Sequence, residues 1–392
     1  MATRGYRCVL SIAAPDDSVT PDAVVAGLGA MGSATLLELA RRGVNVVGID
    51  RYAPPHEFGS SHGKSRIIRE AYFEDPRYVP LVQRAYERWT ELEAESAVKL
   101  LHRTGGLMLG PPDGTLVRGA RLSAQRHKLP HEVLSAADVR RRVPVFEPRG
   151  DMVGVWEPRA GALVPELAIE TMLKLAARRG AVVHTNEQVM SWKPTALGVE
   201  VTTNRATYTA GRLILCVGAW TSALASSLKL PLTIERNAVL WFSPVRAAEA
   251  FAPERFPIFI CESSPDWMWY GFPDLGDGVK VAVHHHGQRC DPESVDRRVA
   301  PEEIERVRWA LDKYLPAANG ALIDTTVCLY TNTPDGHFIL DTHPESPAVI
   351  LASPCSGHGF KFAPVIGEIL ADLAMDQPPR FDISGFALSR FR

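Results

Sequence analysis

The sequence predicts an α/β protein in which a discontinuous domain built on a parallel sheet is interleaved with a second domain built on an antiparallel or mixed β-sheet. Three observations predict it. A short apolar strand near the N-terminus runs directly into a glycine-rich turn and a helix. A second glycine-rich turn joins a strand to a helix near the C-terminus. Between them, from about Leu230 to Gln288, the chain is rich in Trp, Phe, Pro and β-branched residues and lacks helical periodicity. The expected boundaries are 22–95, 150–228 and 325–385 for the first domain and 96–149 and 229–324 for the second, after a disordered extension over 1–21.

The elements follow in order. Ala23-Val24-Val25-Ala26 is a buried strand, and the helix after Gly32 runs to about Arg42, with Gly43 as its C-terminal cap. Val44 to Ile49 is a second strand ending at Asp50, so the chain opens with a β-α-β unit. Tyr78, Leu81, Ala85, Trp89 and Leu92 recur at three- and four-residue steps and predict an amphipathic helix over Tyr78–Glu95. A helix from about Glu166 to Arg179 stops at Gly180. Strands follow at Ala181–His184, Val199–Thr203, Ala206–Ala210 and Arg212–Val217. Pro301-Glu302-Glu303 opens a helix ending near Tyr314, with acidic residues at its positive end. Val349–Ala352 is a strand, and Ala363–Met375 is helical.

Bulk properties narrow the function classes. The chain has 392 residues, enough for two interleaved cores, and its formal net charge of −2 gives no global attraction to nucleic acid or anionic membrane. No apolar run reaches membrane-span length. The cysteines (Cys8, Cys216, Cys261, Cys290, Cys328, Cys355) are scattered without C-x-x-C spacing, against a zinc framework or a secreted disulfide scaffold. A cytoplasmic location is expected. Arg4 and Arg7 precede a short apolar stretch, but Pro15-Asp16-Asp17 follows where a signal peptide wants small residues.

The first motif carrying chemistry is Gly27-Leu28-Gly29-Ala30-Met31-Gly32, between strand and helix. Gly27, Gly29 and Gly32 would let the backbone turn tightly and approach a pyrophosphate at the helix N-terminus, where free N–H groups favour an anion. Asp50 lies about 20 residues beyond the last glycine, the distance at which a carboxylate meets ribose hydroxyls. A glycine turn that binds nothing is the bland alternative, and the strand, helix and acid around it weigh against that. The fingerprint alone does not separate FAD from NAD.

Other motifs do. Pro54-Pro55-His56 and Gly59-Ser60-Ser61-His62-Gly63-Lys64-Ser65-Arg66-Ile67-Ile68-Arg69 are followed by Tyr270-Gly271-Phe272-Pro273, Cys328-Leu329-Tyr330 and Ser356-Gly357-His358-Gly359-Phe360-Lys361-Phe362. In order and spacing this set resembles the monomeric sarcosine oxidase and N-methyltryptophan oxidase family, from about Asp22 to the C-terminus. The resemblance implies a Rossmann-like FAD-binding domain with an interleaved substrate domain, and FAD held covalently. It implies oxidation of a secondary amino acid, sarcosine or another N-methyl amino acid, to an imine, with oxygen reduced to hydrogen peroxide. N-methyltryptophan, pipecolate, proline and glycated amino acids are alternative substrates, and a dehydrogenase using another acceptor is an alternative type. The expected partners are the small amino acid and oxygen, without nucleic acid or membrane, acting on a monomer.

The resemblance also implies residue roles. Cys328 would make the thioether to the flavin, although a lone cysteine between Val327 and Leu329 is otherwise a packing residue. Lys280, in Val279-Lys280-Val281-Ala282-Val283, would activate oxygen; on an alternating strand it would otherwise face outward. Arg69 and Lys361 would bind the substrate carboxylate, the guanidinium with two parallel donors and the ammonium as a point charge. Arg66 would lie close to the flavin, His284 would be the active-site histidine, and Tyr270 and Tyr330 would line the pocket. Gly357, His358 and Gly359 would bring backbone N–H groups to the flavin. Gly218-Ala219-Trp220 resembles a second nucleotide-contacting segment.

His284-His285-His286 invites a metal reading, since His284 and His286 would share a strand face, but no third ligand is suitably spaced and no metal is expected. Trp267 and Trp269 would either wall the pocket or pack in the core. Pro354-Cys355 and Val283-His284-His285-His286 depart from the family's usual pattern, which leaves the amine open. An NAD-dependent dehydrogenase would leave Cys328 and Lys361 unexplained.

Overall fold

The computed structural model describes residues 20–265 and 267–391; the extension expected over 1–21 lies, apart from Thr20 and Pro21, outside the described residues. Strand β1 (Ala23–Ala26) is buried along its whole length, as four consecutive apolar residues require. It pairs in parallel with β2 (Val46–Ile49) on one side and with Arg212–Leu215 on the other. The full sheet runs Ile339–His343, Ser346–Ser353, Arg212–Leu215, β1, β2, Val182–His184, with only the first strand antiparallel to its neighbour. Strands from both ends of the chain meet in one sheet, which makes the domain discontinuous.

Helix α1 (Ala30–Arg41) covers this sheet between the helices Pro165–Arg178 and Ala363–Ala374. Gly367 allows the closest approach, because a Cβ there would sit 2.7 Å from the Ala34 backbone. The amphipathic helix, expected over Tyr78–Glu95, spans Val79–Ser96 and buries Leu81, Ala85, Trp89 and Leu92 in the same core.

The second sheet is larger and mixed. Thr233–Phe242 pairs with Leu322–Asn332 and with Val279–His284, and the sheet continues through Trp267–Gly271 and Ile258–Ser264. Ile258–Ser264 then pairs in parallel with Gly106–Gly110, followed by Val153–Glu157 and Glu132–Ser135. Two expected boundaries shift as a result. Val153–Glu157 lies beyond the boundary at 150 yet joins the mixed sheet, and Leu322–Asn332 straddles the boundary at 325 yet belongs to it throughout. Both strands are chosen by partners distant in sequence, which local pattern does not reveal.

A small three-stranded sheet bridges the two. Strand β3 (Arg66–Ile68) pairs antiparallel with Gly161–Leu163, which also pairs with Leu101–Arg103. Trp269 is fully buried in the core, and the half-buried Trp267 packs at the edge of the same cluster, edge-on to the exposed Trp309; the cavity lining includes neither. The strand expected to carry His284 and His286 on one face ends at His284, because His285 has φ of +57° and turns the chain away. No helix among the described residues is long and apolar enough to cross a membrane.

Candidate active site

One cavity runs between the two large sheets, from the glycine turn at the start of α1 to the cations of β3 and the C-terminal loop. Gly27, Gly29, Asp50, Arg66, Arg69, Tyr270, His284, Cys328, Tyr330, Gly357, His358, Gly359 and Lys361 all line it. Gly32 and Lys280 stand behind its wall.

At the glycine end, Gly27 has φ of +83°, and a Cβ on it would lie 2.6 Å from the Cys216 carbonyl oxygen. A Cβ on Gly32 would come within 1.7 Å of the Gly27 oxygen. Both positions therefore demand glycine for close packing of turn, helix and strand. Asp50 accepts from the Leu28 N–H at 2.6 Å and from the Tyr52 N–H at 2.8 Å, so it braces the turn and keeps lone pairs toward the cavity it lines. The Ser60 hydroxyl is buried in the cavity wall without a hydrogen-bond partner. Gly218, at φ of +55°, is another lining position where a Cβ would meet no protein atom within 4 Å. An anion-ready helix start, a carboxylate on the next strand and an unpartnered hydroxyl fit a dinucleotide such as FAD.

At the other end, the Arg66 Nη2 donates to the Cys328 Sγ at 3.1 Å and to the Ser60 carbonyl at 2.8 Å. Arg66 thus sets a positive charge directly beside the Cys328 sulfur in the cavity wall. The Tyr330 hydroxyl lies 3.4 Å from the His284 Nδ1, and the Tyr270 ring meets His284 edge-on. Burial, then the neighbouring His285, drives the His284 pKa well below its ordinary value, so the imidazole is neutral.

Arg69 is 2% exposed, and its Nη2 donates to both Glu74 carboxylate oxygens, at 2.7 and 2.6 Å. Its Nε is buried without a partner. Burial pushes Glu74 up, but Arg69, helped by His358 and Lys361, prevails and holds it below the usual carboxylate range. Lys361 donates to the His358 carbonyl at 2.6 Å, while burial, reinforced by Arg69, pushes its pKa down to about 7. His358 sits 2.6 Å from the Tyr72 hydroxyl through Nδ1 and 3.0 Å from the Gly336 carbonyl through Nε2; burial pushes it down to about 4. The carbonyl requires a donor, so Nε2 carries the proton and Nδ1 accepts from Tyr72. A Cβ on Gly357 would sit 2.6 Å from the Tyr330 ring and 2.9 Å from His284, which is how closely the C-terminal loop closes on the pocket.

Lys280 is 2% exposed, so it does not face outward as strand alternation alone would allow. Its Nζ donates to the Gly63 and Ser65 carbonyls at 2.7 and 2.6 Å and to the Ser65 hydroxyl at 3.1 Å. It lies over the ring of Phe272, which does line the cavity. Burial and then Arg66 push its pKa well down, yet three acceptors match the three donors of an ammonium, and that geometry favours the charged form.

Sequence reasoning missed Glu74, Glu157 and Tyr72, which carry no local signal, saw Glu166 only as a helix start, and met Phe272 only inside a motif, without its place between Lys280 and the cavity. Glu157 accepts from the Glu70 and Ala71 N–H groups at 2.6 and 2.8 Å. One oxygen of Glu166 accepts from the Gly63 and Lys64 N–H groups at 2.7 and 2.9 Å.

Comparison with known proteins supplies a family. Residues 22–373 match the FAD dependent oxidoreductase family. Monomeric sarcosine oxidase of Streptomyces avermitilis is 43% identical over 362 residues, 91% of this chain and 94% of that protein. N-methyl-L-tryptophan oxidase of Yersinia pestis is 37% identical over 375 residues, 95% of this chain and 99% of that protein. The solved structure of NikD, an unusual amino acid oxidase essential for nikkomycin biosynthesis, superposes with a TM-score of 0.82 at 26% identity, covering 94% of this chain and 97% of that one.

Proposed function

The chain belongs to the FAD dependent oxidoreductase family, and from that premise we propose that it oxidises sarcosine or a related N-methyl amino acid at its C–N bond. One observation carries the reading. Arg69 and Lys361 are both buried in the wall of one cavity, with Glu74 as their nearby acid and the Arg69 Nε unpartnered. Such a surplus of buried positive charge calls for an anion, and a substrate carboxylate supplies one.

FAD, when bound, supplies the two-electron oxidation of the CH–NH group to an imine and returns the electrons, with two protons, to oxygen as hydrogen peroxide. Cys328 is the proposed tether, and Arg66 donates to its sulfur at 3.1 Å. Glu74 holds the Arg69 fork through Nη2, which leaves the unpartnered Nε as a donor for a substrate carboxylate. The same cations disfavour an ammonium next to them and therefore favour the neutral amine, the form that can be oxidised. A neutral His284 adds no opposing charge and offers a ring nitrogen to hold a proton beside Tyr330. Lys280 acts from behind the Phe272 ring as a fixed charge toward which reduced oxygen is drawn. The relatives named monomeric support a monomer, and the scattered cysteines support the cytoplasm.

An anaerobic screen of N-methyl and cyclic amino acids tests the reading by bleaching of the oxidised flavin band. Sarcosine or another N-methyl amino acid is expected to bleach it, and air to restore it with one peroxide per imine. A flavin that no secondary amino acid reduces would overturn the proposal, and reduction without return in air would indicate another electron acceptor.

A further inference from the structure

Strand β3 is only three residues long, yet it separates two cation sites with different tasks. On its N-terminal side the Gly63 and Ser65 carbonyls hold Lys280. On its C-terminal side Arg69 reaches the cavity, with its Nη1 donating to the Ala71 carbonyl at 3.1 Å. Each side is pinned by a glutamate from another part of the chain. Glu166 takes the consecutive N–H groups of Gly63 and Lys64 on one oxygen, and Glu157 takes those of Glu70 and Ala71, one on each oxygen.

We infer that Glu166 and Glu157 are positioning residues for the two half-reactions separately: Glu166 fixes the turn that holds the oxygen-side lysine, and Glu157 fixes the turn that aims the carboxylate-binding arginine. The inference rests on the roles proposed above for Lys280 and Arg69.

The Lys280 turn needs holding. Gly63 has φ of +98° and Lys64 has φ of +67°, a conformation that a lysine backbone adopts only when its surroundings fix it. The two N–H groups bound by Glu166 flank the Gly63 carbonyl that Lys280 grips, and the Ser65 carbonyl follows one residue later. Releasing Glu166 removes two of the hydrogen bonds that hold this turn, leaving the Ser65 N–H bond to the Gly63 carbonyl and the Arg66 bond to the Ser65 carbonyl, both at 2.8 Å, in place, and so loosens the seat of the lysine behind Phe272. On the other side, Glu157 is 1% exposed at the end of Val153–Glu157, a strand of the mixed sheet. It ties a loop that carries Arg69 to a rigid frame. The Ala71 N–H points to Glu157 while the Ala71 carbonyl receives Arg69, so one peptide residue transmits the anchor to the guanidinium. Glu70 is itself buried and ion-pairs through Arg159 at 3.3 Å, which leaves Glu157 as the group that fixes its backbone.

Glu166→Gln and Glu157→Gln, as flavin-loaded enzymes, separate the two tasks. Each amide keeps one accepting oxygen but loses the charge, and at Glu157 one of the two acceptors as well. At pH 8, above the value of about 7 to which burial raises Glu157, this weaker hold is expected to move the affected quantity by roughly tenfold. In Glu166→Gln the rate of flavin reoxidation by oxygen falls by that factor, while anaerobic reduction and the affinity for acetate, read from the flavin spectrum, stay within about twofold. In Glu157→Gln acetate binds roughly tenfold more weakly and the substrate KM rises in step, while reoxidation stays within about twofold. If an amide variant fails to accumulate folded, Glu166→Asp and Glu157→Asp, which keep the charge but shorten the reach, are read in the same way. Variants that depress both half-reactions alike would overturn the inference, because that is what a merely structural role produces. Arg69→Gln is the control for the underlying reading. If it weakens acetate and Glu157→Gln does not, the positioning inference alone fails; if it leaves acetate unaffected, the carboxylate assignment itself fails.

Discussion

Lys361 meets opposing influences: burial and the nearby Arg69 push its ammonium down to about 7, while Glu74 and the His358 carbonyl favour the proton. The sign of the pH effect follows. Below about 7 the lysine carries its charge and attracts a carboxylate; as pH rises through that value the charge is lost, and Arg69, a guanidinium, keeps its own. Acetate affinity is therefore expected to fall by roughly tenfold on the alkaline side, a loss Lys361→Met shows at every pH. Acetate has no amine, so titration of the substrate nitrogen does not enter, and spectral titrations from pH 6 to 9 decide the matter. An alkaline limb that persists in Lys361→Met would assign it to another group. The places of Cys328 and Lys361 in the cavity wall were legible in the sequence because each sits inside a contiguous motif. Lys280 was half legible, since alternation fits an outward lysine equally well and only the cover on both faces of Val279–His284 buries it. Glu74, Glu157 and Glu166 act through backbone N–H groups or a neighbouring guanidinium, and side-chain pattern carries no trace of such contacts.

Among elements, the β1–α1–β2 unit was legible because each part has a local cause: an apolar run, a glycine turn, a helix that follows it directly and a glycine cap. Its tolerance is correspondingly small. A methyl group on Gly32 would lie 1.7 Å from the Gly27 carbonyl oxygen, a backbone atom that cannot rotate aside. Gly32→Ala must move α1 away from the turn, at about 1–3 kcal/mol or more, and in doing so dismantles the anion site at the helix start. The variant is expected to purify with little flavin, seen as a low ratio of 450 to 280 nm absorbance, and a normal ratio would contradict the cofactor assignment at this turn. The mixed sheet was less legible. Gly106–Gly110 is buried throughout and shows no alternation, and its parallel partner, Ile258–Ser264, lies far along the chain. Val153–Glu157 reached that sheet past a boundary drawn from local composition, and with it came Glu157, the residue that braces Arg69.

At the scale of the whole molecule, the cavity lies between two sheets, so whatever fills it touches both. Direct ties across its mouth exist: Arg51 donates to Glu293 at 2.8 Å, and Arg297 donates to the carbonyls of Glu57 and Phe58 at 2.8 and 2.7 Å. With side-chain exposures of 30% and 51%, the Arg51–Glu293 pair belongs to the class that contributes about 0–1 kcal/mol. A ligand bound only by the folded state does more, about 2.7 kcal/mol at a hundredfold excess over its Kd. That difference makes the proposed covalent tether testable by a thermal measurement. Cys328→Ser retains the cavity but removes the proposed point of attachment, so its melting temperature is expected to climb by several degrees as free FAD is added, at about 2–4 °C per kcal/mol or somewhat less for a chain of this size. The wild-type enzyme, already carrying its cofactor, is expected to melt at one temperature regardless of added FAD and to leave a yellow pellet in acid, whereas the variant releases its flavin to the supernatant. A wild-type pellet without colour, together with a melting temperature that follows added FAD, would remove Cys328 as the point of attachment while leaving the cavity as the cofactor's seat.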